Sequence, residues 1–174
     1  MILKTLKTRF LKRSVDRMQK KRLPIHEGRA LRTVGIVVNS IENNTLEGFE
    51  TLANSLHILE KDLKIIYHSE TTKNLTTLGQ NSFTSKDFSW NGTFVNPVLS
   101  EFLDREYDVL IGYSSQKNKF IDFVVSHGKA TLKVGLDSGN ANLYDLIFKI
   151  KSNDYALFEK ELVKYLQIIN AAEK

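Results

Sequence analysis

The chain contains no cysteine. That excludes a disulfide framework, a thiolate zinc site and a cysteine nucleophile. No apolar run approaches the roughly 18 residues that a membrane-spanning helix needs. The glycine patterns that cradle phosphate are missing too: neither G-x-G-x-x-G nor G-x-x-x-x-G-K-[ST] follows an apolar run. The four histidines show neither H-x-x-x-H nor H-E-x-x-H spacing, so no two imidazoles are aimed at one metal from one helix. No G-x-S-x-G elbow presents a serine nucleophile. No catalytic residue, metal or cofactor is therefore expected, and the sequence points to a binding protein rather than an enzyme.

What is present is a full-sized globular composition with an uneven charge. The 174 residues are 41% apolar and 26% charged, with a net charge of +5, a length that suits one domain. Residues 1–32 hold eleven basic residues against two acidic ones, a net +9, whereas the remaining 142 hold fourteen against eighteen, a net −4. A cationic segment on a mildly acidic body suggests a tether to a polyanion. Lys7, Arg9, Lys12, Arg13, Arg17, Lys20, Lys21 and Arg22 are the candidate phosphate contacts. They would position the protein on RNA or a ribonucleoprotein without reading sequence. A ribosome-associated factor in the cytoplasm is the expected type.

A secretory leader needs an unbroken apolar core, which Lys4 and Lys7 interrupt. An anionic membrane surface is the alternative partner: Ile2, Leu3, Leu6 and Phe10 share one face of a helix. Beyond residue 10 that face is lost, since Leu11, Val15 and Met18 rotate away, and cations from Lys12 to Arg22 read as surrounding the helix. Pro24 ends it. The domain division is thus a basic arm and connector over 1–32 and an α/β domain over 33–174.

The body alternates short β-branched runs with amphipathic segments. Strands are expected at 33–38, 63–67, 107–113, 132–136 and 145–150, and helices near 46–56, 97–103, 120–127 and 155–172. Residues 69–87 read as a long irregular connection. Asn91-Gly92 between aromatic residues signals a tight turn, and Trp90 reads as core rather than as a base-stacking platform. The alternation predicts a three-layer Rossmann-like sandwich with a mostly parallel sheet. In such a sheet ligands gather at the carboxyl ends of the strands. The residues there, Asn39, His68, Ser114 and Asp137, form a candidate crevice for a small polar ligand, and a small-molecule enzyme or sensor is the alternative reading.

The run Phe83-Thr84-Ser85-Lys86-Asp87-Phe88-Ser89-Trp90-Asn91-Gly92 resembles a bacterial family of short uncharacterised proteins. Phe102-Leu103 with Tyr107-Asp108-Val109-Leu110-Ile111, and Ala130-Thr131-Leu132-Lys133-Val134-Gly135, carry the same likeness over nearly the whole chain. It implies a bacterial, cytoplasmic origin and no assigned activity. Asp108-Val109-Leu110-Ile111 followed by a helix and Lys133-Val134-Gly135 also looks like the acceptor-side half of heptosyltransferase-type glycosyltransferases. Without a second half for the sugar nucleotide, that likeness implies a catalytic fold reduced to a binding scaffold.

Overall fold

The structure, a computed structural model, describes residues 2–20, 32–40, 46–70, 81–89, 91, 93–136 and 140–171. Helix α1 (Ile2–Gln19) precedes strand β1 (Val34–Asn39), helix α2 (Leu46–Ser55), β2 (Leu63–Ser69) and β3 (Ser82–Thr84). Helix α3 (Pro97–Asp104), β4 (Glu106–Tyr113), α4 (Lys119–His127), β5 (Lys129–Leu136), β6 (Leu146–Phe148) and α5 (Tyr155–Ala171) complete the chain. The six strands form one sheet in the order β3-β2-β1-β4-β5-β6, and every pair is parallel. The expected Rossmann-like sandwich is therefore present, with a sheet that is parallel throughout.

Strands buried on both faces need apolar side chains on both. Val34, Ile36 and Val38 of β1 point to one layer, packed with Phe49 and Leu52 of α2 and Phe158, Leu162 and Leu166 of α5. Val37 points to the other, where Leu99 and Phe102 of α3 and Ile121, Phe123 and Val124 of α4 pack. Gly35 lies inside β1 because the Tyr107 ring covers it: a Cβ there would come within 2.9 Å of that ring.

Helix ends follow local chemistry. Asn96 caps α3 by accepting from the Val98 and Leu99 amides, with Pro97 at the first helical position. Asn118 caps α4 in the same way, through the amides of Phe120 and Ile121. Helix α2 ends with His57 at φ 54°, while the amides of His57 and Ile58 donate to the carbonyls of Asn54 and Ala53. That is a Schellman closure built on a non-glycine residue.

Two readings of the sequence are corrected. The stretch 69–87 is not wholly irregular: Ser82–Thr84 is a parallel edge strand, invisible to periodicity because only Phe83 is apolar. The strand expected over 145–150 is three residues long. The tight turn stands, since Phe88 bridges Phe94 in antiparallel register and Ser89 donates to Thr93. Trp90 and Gly92 lie outside the described residues.

Candidate functional site

Helix α1 is not a free arm. At about 100° per residue, Lys7, Leu11, Ser14, Val15 and Met18 share one face, and that face meets the protein. Leu11 is fully buried and Val15 nearly so, both in the apolar cluster that holds α3 and α4. The boundary expected at residue 32 therefore does not separate α1 from the body's core. Polar contacts register the helix along α4 and the segment 85–88 that follows β3. The Lys7 ammonium donates to the carbonyls of Ser85 and Phe88, Lys119 donates to Thr8 at 2.7 Å, and Ser14 lies 2.9 Å from His127 Nε2. His127 stacks on Phe123 at 3.9 Å, and its Nδ1 faces the Phe123 carbonyl at 2.9 Å. It is thus a bridge between helices rather than only a helix-end residue. Burial lowers the Lys7 pKa, helped by Lys119 and opposed by Asp87.

The docking sorts the candidate phosphate contacts. Lys7 is turned inward. Arg9, Lys12, Arg13, Arg17 and Lys20 are exposed, on an outward arc about 140° wide and about 16 Å long. Asp16 lies among them, also exposed. Lys21 and Arg22 fall outside the described residues. The cations thus do not surround the helix, because Leu11, Val15 and Met18 occupy the remaining arc. Ion pairs among the described residues, Lys64–Glu101 and Lys164–Glu161, lie elsewhere. Of the apolar residues considered for a membrane surface, Phe10 is 39% exposed, and the side chains of Ile2, Leu3 and Leu6 lie outside the description. Among the described residues no helix is long and apolar enough to cross a membrane.

The crevice residues fall at the topological switch point, where β1 and β4 send their connections to opposite layers. Asn39 pairs with His68 in register, and its side chain donates to Ser114 Oγ at 3.3 Å. Three of the four candidates therefore form one row across β2, β1 and β4, all buried. Asp137 lies outside the described residues. Asn118, which the sequence reading missed, completes the row. Its oxygen already caps α4, so its amide nitrogen donates to His68 Nδ1 at 2.9 Å. That leaves the proton on Nε2, which is buried and has no partner among the described residues. Stacked on Phe120 at 5.1 Å and near Phe83, the ring is driven by burial to a pKa of about 4, against a weaker pull from Asp87. His68 is thus a neutral donor held in place. Ser114 donates to the Gln116 carbonyl at 2.8 Å, so the row does not form a serine–histidine charge relay. An open cavity of about 260 Å³ lies at the other end of the strands, beside the amino ends of β2, β1 and β4, lined by Thr33, Asp62, Arg105, Glu106 and Tyr107.

A family model described as a family of unknown function (DUF6913) matches residues 7–169, a span that includes most of α1. No curated protein and no solved structure matches the chain, so the likeness to heptosyltransferase-type enzymes has no counterpart there.

Proposed function

We propose, for a chain that belongs to the DUF6913 family of unknown function, a non-enzymatic role as a binding protein. The outward face of α1 docks on structured RNA, in a cytoplasmic, ribosome-associated setting. One observation carries this reading: α1 buries Leu11 and Val15 against the fold while Arg9, Lys12, Arg13, Arg17 and Lys20 stay exposed. A helix fixed by its inner face presents its cations in a set geometry, so less side-chain and backbone ordering opposes binding than for a loose tail. The phosphates of a double-stranded segment offer a matching row of negative charge.

Fluorescence anisotropy with a labelled RNA hairpin tests it. Arg13→Gln with Arg17→Gln should weaken binding at least tenfold while leaving the melting temperature within about 2 °C. Equal affinity of the variant would overturn the reading. The same titration with anionic vesicles tests the membrane alternative, in which Phe10→Ser removes vesicle binding and spares RNA.

A second reading rests on the orphaned Nε2–H of His68. A buried donor without a partner costs about 1–3 kcal/mol, and a small ligand bearing an acceptor would offset that cost. It predicts a metabolite that raises the melting temperature of the wild type but not of His68→Phe. A broad metabolite panel that leaves the wild-type melting temperature unchanged would count against it.

A further inference from the structure

The C-terminal helix carries a second surface unrelated to the basic face. Helix α5 packs inward through Phe158, Leu162 and Leu166, spaced four residues apart and almost fully buried. Its outer side should be polar. Beside the exposed Lys160, Lys164 and Gln167, however, Leu157, Tyr165 and Ile168 are 40%, 43% and 56% exposed, half of the exposed large apolar side chains among the described residues. Leu157, Glu161, Lys164 and Ile168 follow at steps of four, three and four, which places them on one seam about 16 Å long. Glu161 and Lys164 sit at its centre, 3.9 Å apart, with side chains 37% and 66% exposed.

Read from either end, this seam complements itself: apolar, acidic, basic, apolar. We propose that it is the contact face of a homodimer, in which a second copy lays its α5 antiparallel along the first. A twofold axis between Glu161 and Lys164 brings Leu157 against Ile168 of the second copy and Glu161 against its Lys164, each contact occurring twice. A parallel arrangement would instead oppose Glu161 to Glu161 and Lys164 to Lys164, which charge disfavours. Tyr165, whose ring lies 6.4 Å from Phe148 of the edge strand β6, flanks the seam and widens its apolar border. Because α5 and α1 lie on opposite faces of the sheet, the pairing leaves the basic face of each copy free. The proposal does not depend on what that face binds. A single helix pair is a small interface, so the association is weak and reversible.

Sedimentation equilibrium of the full chain, from micromolar to submillimolar concentration, is the test. The wild type should show a monomer–dimer equilibrium. Glu161→Lys and Lys164→Glu, each placing like charges at the centre twice, should each weaken self-association roughly tenfold. An equimolar mixture of these two variants should regain wild-type association as a heterodimer, because opposite charges again face each other. The native chain has no cysteine, so orientation can be read by cross-linking. Leu157→Cys mixed with Ile168→Cys should oxidise to a mixed dimer faster than either variant forms its own. A wild type that stays monomeric throughout, variants that associate like the wild type, a mixture that fails to recover, or self-linking of Leu157→Cys alone would each overturn the proposal.

Discussion

Replacing Leu11 by alanine asks whether α1 is a structural part of the fold. The side chain is fully buried among residues of α3 and α4, with Val15 one turn further on and four polar contacts along the same helix. Removing three carbon atoms from such a site costs about 3 kcal/mol through lost burial and residual cavity. For a domain of this size that lowers the melting temperature by roughly 6–12 °C. If α1 undocks locally before the body melts, the loss appears instead as faster amide exchange confined to α1. Differential scanning calorimetry with hydrogen exchange reads both outcomes. Arg13→Gln, exposed on the same helix, is the control and should shift the melt by no more than about 2 °C. If Leu11→Ala changes neither melting nor exchange, α1 is a detached arm and the fixed presentation of its cations is wrong.

Asp108 is buried and accepts from the amides of Arg32 and Thr33 and from the Thr33 hydroxyl at 2.8–2.9 Å. Asp108→Ala should therefore destabilise by about 3 kcal/mol or more in urea unfolding, and Asp108→Asn by less. His57→Gly relieves a left-handed residue at φ 54° and should stabilise by about 0.5–1 kcal/mol. The pKa of His68 falls on folding from 6.5 to about 4. The unfolded chain then binds more protons between those values, so stability present above pH 6.5 is lost as pH falls towards 4, by about 3 kcal/mol in all. His127, lowered by burial, acts in the same direction. Asp122, raised by burial to about 6, acts in the opposite one, since its contribution falls as pH rises from 3.8 to 6. Urea titrations of the wild type against His68→Phe isolate the His68 share. An unchanged slope over pH 4–6.5 would refute it.

The sandwich was legible in the sequence because its central strands are doubly buried and its helices have clear apolar stripes, as in Val34–Asn39 and Tyr155–Ala171. Residues at strand ends could be placed in one row by counting along the predicted strands, which is why Asn39, His68 and Ser114 meet. Strand order could not be read, since pairing is a long-range property. The docking of α1 was hidden by its own chemistry. Two of the five residues on its inner face are Lys7 and Ser14, which satisfy carbonyls and an imidazole rather than adding to an apolar stripe. Asn118 was missed because its amide serves two partners, the start of α4 and His68, and only the first leaves a sequence signal. The seam on α5 is legible as a pattern, but not as a surface until the inner face of the helix is known.

The central claim is that the outward cations of α1 meet RNA phosphates. Its most direct measurement is the salt dependence of hairpin binding by the full chain. With five contacts, log K should fall against log salt with a slope of about −4.5, and Arg13→Gln with Arg17→Gln should reduce that slope by nearly 2. Lys7→Gln, on the inner face, should leave it unchanged. A slope near zero, or the same slope after both arginines are gone, would contradict the claim.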